Sequence, residues 1–171
     1  MNRRQFLILG GVSTTALVVG SAAYRIGAVW WDQTPHEDFD VLSAREVEIA
    51  EAIADAMFPG DHLGMPNGTE VGVLSTFDRY LEAIHPQKAN LLRLLLHAID
   101  EMAIFDGLAM VPFRKRPRKQ RIAILNRWDD AGLNARKEAF LGLKVIFSMG
   151  YCESPEVMER AGIEYECGGL S

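Results

Sequence analysis

The sequence predicts an all-α protein: a single domain of about five helices that follows an N-terminal export signal and ends in an irregular C-terminal tail. Three observations predict this fold class. Apolar residues recur at helical spacing in five segments, capping residues or prolines mark where several of these segments begin, and no segment alternates between apolar and polar residues as a half-buried strand does. Hydrophobic residues make up 49% of the 171 residues, which is typical of a globular chain.

The first helix is predicted over residues 42–58. Ser43 is placed as its N-cap, and Glu46 three residues later completes a capping box. Leu42 and Val47 flank this start as a hydrophobic staple. A proline and a glycine then end the helix.

The second helix is predicted to begin after Thr69 and to end near His85, with Asp78 on its polar side. The third is predicted over residues 87–105. Its leucines and isoleucine extend around more than one face, which predicts a central helix that is contacted on several sides.

Two more helices complete the predicted domain. Pro117 fits the first position of the fourth helix, and Asn134 fits the N-cap of the fifth. From residue 151 the helical pattern dissolves, so residues 151–171 are predicted to be an irregular tail.

The N-terminus has the pattern of a twin-arginine export signal. Arg3 and Arg4 precede Phe6 and Leu7, and an apolar stretch follows that several glycines and threonines dilute. Small residues favour cleavage before Tyr24, and the alternative is that the segment is retained as a membrane anchor. We therefore expect a periplasmic protein, membrane-associated if the anchor is kept, organised as a signal (1–23), a linker (24–41) and a helical domain (42–171).

Composition and motifs exclude several classes of function. The net charge of −5 becomes more negative when the signal is removed, which argues against nucleic-acid binding. The sequence contains neither the glycine-rich turn of a dinucleotide site nor a P-loop. It also lacks the Cys-x-x-Cys-His motif that attaches haem c. No catalytic, cofactor-binding or metal-binding residue is predicted.

Two polar pairs define one alternative hypothesis, a free-standing periplasmic enzyme or metal-binding bundle. A free-standing exported helical binding module, tethered to the membrane, is the other alternative. Glu82 and His85 form a Glu-x-x-His motif, but a di-iron bundle requires that motif twice. His97 and Asp100 have the spacing of an acid–base pair on one helix, although a satisfied or partly exposed histidine on a crowded helix explains the pattern better.

A basic segment and a pair of cysteines are the other candidate features. Six cations lie within eight residues, and they predict either a solvated helix start or a surface that docks an acidic partner or anionic lipid. They are Arg114, Lys115, Arg116, Arg118, Lys119 and Arg121. The export signal would place Cys152 and Cys167 in an oxidising compartment, where a disulfide between them is plausible. The alternative is two independent thiols, or one of them packed in an interface.

A series of short motifs runs in order along the chain after the twin-arginine start. They occupy residues 42–46, 52–59, 72–73, 77–81, Phe113, 121–128, Phe140, 143–144, 150–151, 154–155 and 162–165. Their order resembles the small subunit of membrane-associated flavin dehydrogenases, the gluconate 2-dehydrogenase subunit 3 family. The basic segment and the two cysteines depart from the family pattern.

That resemblance implies a function. Members of the family are non-catalytic partners of a large flavoprotein of the glucose-methanol-choline type, often together with a cytochrome c subunit. It therefore implies FAD in a partner subunit, haem c in a third subunit where one is present, and export through the twin-arginine translocase. The family transfers no catalytic residue to this chain. A small domain without a cofactor motif gains from such an export signal if a larger folded subunit is carried with it.

Overall fold

The computed structural model describes residues 34–60, 64–105, 111–130 and 134–163, and in these ranges it confirms the all-α prediction. Two short 3-10 helices, Ala103–Phe105 and Phe113–Lys115, connect the main elements. The α-helices are α1 Ala44–Met57, α2 Val73–Ala83, α3 Pro86–Met102, α4 Arg118–Asp129, α5 Asn134–Cys152 and α6 Pro155–Arg160. None of them is long and apolar enough to span a membrane.

The start of α1 confirms the predicted capping box. Ser43 Oγ accepts a hydrogen bond from the backbone N–H of Glu46, and the Glu46 carboxylate accepts one from the backbone N–H of Ser43. Leu42 and Val47 are both buried. α1 contacts α2, α3, α4 and the 3-10 helix Phe113–Lys115, so it connects several elements of the domain.

The predicted start of the second helix is wrong by three residues, because α2 begins at Val73 rather than directly after Thr69. Asn67 holds residues 67–69 in a turn by accepting hydrogen bonds from the N–H and the hydroxyl of Thr69. Gly72 then adopts a left-handed conformation (φ 76°) that a glycine tolerates. The sequence predicted Asp78 on the polar side of the second helix, but its side chain is buried.

The third predicted helix is shorter than expected, but it contacts α1, α2, α5 and the 3-10 helix Phe113–Lys115, as predicted for a helix contacted on several sides. α3 begins at Pro86, and its predicted last turn is the 3-10 helix Ala103–Phe105. Leu91 is 65% exposed, and Leu92 is only partly buried. The wide apolar surface of α3 is therefore only partly covered by the domain.

The helix starts at Pro117 and Asn134 each differ from prediction by one residue. Pro117 is the N-cap of α4 rather than its first residue. Asn134 is the first residue of α5 rather than its cap. Both differences concern a helix end, where neighbouring residues compete for the same geometric position.

The prediction of an irregular tail from residue 151 is wrong for the tail's first part. α5 continues to Cys152, and Pro155 then starts the short helix α6. Gly162 (φ 67°) ends α6, with the N–H of Ile163 bonded to the carbonyl of Met158. Six residues are too few for apolar periodicity to reveal a helix. Residues 164–171 lie outside the described ranges.

The core is built from aromatic contacts between helices. Phe77 of α2 packs on Phe147 of α5 with ring centroids 5.0 Å apart, and Trp128 of α4 meets Phe140 of α5 edge-on at 6.2 Å. These contacts place α5 against α2 on one side and α4 on the other, and leave one long face of α5 turned outward.

The domain begins earlier than the predicted boundary at residue 42. Its compact unit starts at Pro35. The carboxylate of Asp78 accepts hydrogen bonds from the backbone N–H groups of Asp40, Val41 and Leu42 at 2.8–3.1 Å. Residues 35–41, which the sequence assigned to the linker, therefore fold with the helices. Residues 1–33 lie outside the described ranges.

Candidate partner-binding face

The two predicted polar pairs lie where α2 meets α3 and within α3. Glu82 is exposed on α2, whereas His85 lies beyond the end of that helix, where its Nδ1 caps α3 by accepting from the N–H of Gln87. His97 and Asp100 are both buried. Each has a different charged neighbour: Glu46 for His97, and Arg114 for Asp100.

Glu46 is the centre of the first buried charged cluster. Its carboxylate accepts hydrogen bonds from Arg93 Nε at 2.8 Å and from Ser43 Oγ at 2.8 Å, and it lies 3.2 Å from His97 Nε2. Burial raises the pKa of Glu46, but hydrogen bonds from His97, Arg93 and Ser43 outweigh burial and lower the pKa to about 2. This carboxylate joins α1 to α3 and is an anion at neutral pH.

Asp100 is the centre of the second buried cluster. It accepts a hydrogen bond from the backbone N–H of Arg114 at 3.1 Å and forms an ion pair with the guanidinium of the same residue. Arg45 Nη2 lies 3.5 Å from Asp100 and 2.6 Å from Glu101. The cluster joins α1, α3 and the 3-10 helix that carries Arg114.

The arginines of the basic segment are directed into the domain. Arg114 also pairs with Glu48 of α1 at 3.0 Å. Arg116 is buried and donates to the carbonyls of Ala103 and Val111. These contacts fasten both ends of the connection between α3 and α4.

Arg118 and Arg121 bind the C-terminal half of α1. Both pair with Asp55, at 2.7 and 2.6 Å, and Arg121 also donates to the carbonyl of Ala52. Burial raises the pKa of Asp55, but hydrogen bonds from Asn67 and Arg118 and the charge of Arg121 lower it overall. Cations placed here also complement the dipole of α1.

Docking of a partner or membrane on the basic segment stays a prediction. The structure leaves two of the six cations well exposed for such a contact. The four arginines are at most partly exposed and have partners within the domain, whereas Lys115 and Lys119 are exposed. The cluster seen in the sequence is therefore mainly an internal brace.

The outer face of α5 carries a stripe of exposed apolar side chains. Leu141, Val145 and Met149 are 52%, 50% and 54% exposed, and each is one helical turn from the next. Cys152 continues the line and is exposed at the end of the helix. Gly142 beside them faces open space. We call these five residues the α5 stripe.

A cleft borders the α5 stripe on one side. It has a volume of about 400 Å³ and lies between the end of α1, α4 and α5. Its walls include Phe58, Ile122, Leu125 and Phe140. Lys144 stands at its edge, paired with Asp129 at 2.9 Å, and the hydrogen bond from Lys144 lowers the pKa of Asp129. Volume and lining suit an apolar group.

A second, shallower groove borders the stripe on the other side. Met149 and Cys152 of the stripe form part of its wall, together with Glu153 and with Met158 of α6. The stripe is therefore a ridge between two grooves. We call this ridge, together with the cleft lined by Phe58 and Phe140, the candidate partner-binding face.

Sequence reasoning missed this face, although the sequence contained the pattern. The apolar residues chosen for the fifth helix were those that line its buried side, such as Leu143 and Phe147. Leu141, Val145 and Met149 form a second apolar line at intervals of four residues. A helix that is apolar on both sides must be covered on both sides.

The remaining candidate residues are only partly described. The export residues Arg3, Arg4, Phe6 and Leu7 and the cysteine Cys167 lie outside the described ranges, so the disulfide with Cys152 stays a prediction. His36, Glu37 and Asp38 place possible ligand atoms within 4.8 Å of one another, but the two carboxylates are exposed, and such groups are common without a metal. Comparisons of the chain with family models, curated proteins and solved structures gave no match.

Proposed function

We propose that this chain is a non-catalytic small subunit of a periplasmic, flavin-dependent sugar or alcohol dehydrogenase complex. Its role is to help the catalytic subunit fold, assemble and leave the cell through the twin-arginine translocase. The catalytic partner is a large flavoprotein of the glucose-methanol-choline type that carries the FAD. In the family that this chain resembles, the complex often also contains a cytochrome c subunit with haem c.

The observation that carries the proposal is the candidate partner-binding face. A half-exposed line of apolar side chains on a helix is costly in water unless another surface covers it. The buried ionisable groups, in contrast, are used for structure: Glu46, Asp55 and Asp100 each hold arginines between helices. The described domain thus offers a surface for association and uses its charged chemistry internally.

The sequence supports the proposal independently. The motif order resembles that of the small-subunit family, and Arg3 and Arg4 begin a signal used for proteins exported after folding. A partner that lacks a signal of its own needs such a carrier.

Deletion of this chain from its own host tests the proposal. We expect the flavoprotein to accumulate in the cytoplasm, or to lose its flavin, and the dehydrogenase activity of the periplasm and membrane to fall. Replacement of both Arg3 and Arg4 by lysine should retain the flavoprotein in the cytoplasm together with this chain. Normal export of an active flavoprotein in the deletion strain would refute the proposal.

The second candidate function is a free-standing exported binding module, and the cleft favours it. A volume of about 400 Å³ lined by Phe58, Leu125 and Phe140 is large enough for a small apolar ligand. In that case the mature protein would purify from the periplasm as a monomer without a flavoprotein. Native mass spectrometry of the purified chain would show a small bound molecule.

A further inference from the structure

We propose that the α5 stripe is where the larger subunit docks, by placing one of its α-helices along the stripe and an apolar side chain in the neighbouring cleft. The inference deepens the proposed function and rests on it. It assigns the contact to one face of one helix and specifies the chemistry of the partner's surface.

The spacing of the stripe predicts a helix as the covering element. Leu141, Val145, Met149 and Cys152 follow one another at intervals of four, four and three residues, which is the periodicity of a seam between packed helices. Gly142 has no neighbouring atom within 4 Å of where a side chain would begin. A glycine at this position lets the backbone of a partner helix approach closely.

The cleft explains how the contact extends beyond one helix. Lys144 and Ser148 of α5 line the cleft, and each lies three residues after a residue of the stripe, Leu141 and Val145, so their side chains are neighbours on the helix surface. The two features are therefore continuous. A single apolar side chain that fills a pocket beside a helix contact is the usual form of an interface hot spot.

The area of the stripe favours a larger partner over a second copy of this chain. The stripe spans residues 141–152, about 16 Å at the rise of an α-helix, and is about 10 Å wide. Packing of α5 on a second α5 would cover roughly a few hundred Å² per chain, compared with about 800 Å² for a stable interface. A partner that also fills the cleft comes closer to that area.

Charge on one edge of α5 specifies the partner further. Lys137 and Lys144 are seven residues apart and lie on the same edge of α5. Lys144 is paired with Asp129, whereas Lys137 is exposed beside the stripe. The partner is expected to place an acidic side chain opposite the exposed Lys137.

The test is capture of the flavoprotein by the tagged full-length chain, produced in its own host. The variant Val145→Glu places a charge in the middle of the stripe, and Leu141→Glu places one at its start. Leu91→Glu is the matched control because Leu91 is a comparably exposed apolar residue on α3. We expect recovery of bound flavin and of the large subunit to fall about tenfold or more for both stripe variants and to stay unchanged for the control. Unfolding temperatures of the isolated variants should equal that of the parent chain.

Labelling of Cys152 provides a readout that does not depend on a disruptive variant. In a Cys167→Ser background, a maleimide should modify Cys152 readily in the isolated chain, where the side chain is exposed. The rate should fall about tenfold or more in the complex, since burial excludes the reagent.

The outcomes separate this inference from the proposed function. Equal capture by the parent chain and both stripe variants, or unchanged labelling of Cys152, would refute the docking site and leave the proposed function standing. Absence of any flavoprotein from the parent capture would refute the proposed function, and the docking inference with it. A homodimer that the stripe variants dissociate would identify a second copy as the occupant and overturn the inference.

Discussion

Two regions of the molecule have an unusual distribution of side chains. The junction between α1 and α3 buries charged groups, whereas the outer face of α5 exposes apolar groups. At the junction Glu46 and Asp100 have no solvent exposure. Each buried carboxylate is compensated by arginines, through hydrogen bonds and ion pairs. On α5, Leu141 and Met149 are half exposed, although contact with water is unfavourable for an apolar side chain. The first arrangement is complete within the described part of the chain, whereas the second is the surface that we propose a partner covers. Buried charge at the junction therefore bears on stability, and the exposed apolar face of α5 bears on the proposed association.

The largest expected effect comes from breaking the junction at Glu46. Alanine at this position removes the capping box and leaves Arg93 and His97 without their shared carboxylate. We expect a loss of about 3–5 kcal/mol in the free energy of unfolding, because removing one partner strands a buried charge. Urea unfolding measures it.

Glu48→Ala is the control for that experiment. Glu48 also pairs with an arginine of the basic segment, but its side chain is 64% exposed. Its removal should cost less than about 1 kcal/mol. Similar losses in the two variants would mean that the junction is not the buried brace described above.

The sequence predicted the local part of this junction and not the rest. The capping box of Ser43 and Glu46 depends on residues three apart, so a local pattern was sufficient. Arg93 meets Glu46 across 47 residues, and no feature near either one indicated the partner. The same reason explains Asp78, which looked like a surface residue because its backbone partners lie 36–38 residues away.

The basic segment shows the same limit at the level of function. Six cations within eight residues suggested a surface, but Asp55 and Asp100 were not recognisable as their partners from sequence spacing. The α5 stripe shows the opposite case. Its four-residue spacing was readable, but only the fold reveals which of the two apolar lines of α5 faces the core.

The two sides of α5 provide the second test of the comparison. Leu143 is completely buried and Leu141 is 52% exposed, two residues away on the same helix. Leu143→Ala should lower the free energy of unfolding by about 2–5 kcal/mol through the cavity that it leaves. Leu141→Ala should change it by less than about 0.5 kcal/mol. Equal effects would show that Leu141 is covered within the chain itself, which would end its role as a docking residue.

The charge state of Glu46 gives a pH-dependent test of somewhat smaller size. The folded-state pKa of about 2 lies below the ordinary value of 4.5, so the ionised carboxylate stabilises the fold above pH 4.5. This contribution is lost as the pH falls from 4.5 towards 2. A shift of this size corresponds to about 3 kcal/mol.

Glu46→Gln isolates that contribution. The difference in unfolding free energy between the parent chain and Glu46→Gln should be constant from pH 7 to about pH 5 and should shrink at lower pH. Urea unfolding between pH 7 and pH 2.5 measures it, with Glu48→Gln as the control that lacks the buried network. A difference that does not change below pH 4.5 would contradict the assignment of Glu46 as the low-pKa anion.

The smallest expected effect comes from two glycines of α5, and it has opposite signs on the two sides of the helix. A methyl group on Gly150 would lie 3.1 Å from Thr76 Cβ and 3.2 Å from the carbonyl oxygen of Val73, so Gly150→Ala forces α2 and α5 apart. We expect a loss of about 1 kcal/mol or more. A methyl group on Gly142 meets nothing within 4 Å, and Gly142→Ala should stabilise the isolated chain by about 0.5–1 kcal/mol because alanine favours a helix. Thermal unfolding distinguishes the two signs. If Gly142→Ala stabilises the isolated chain and also weakens capture of the flavoprotein, the open space at Gly142 belongs to the partner; a destabilised Gly142→Ala chain would place covering atoms of the chain itself over the stripe.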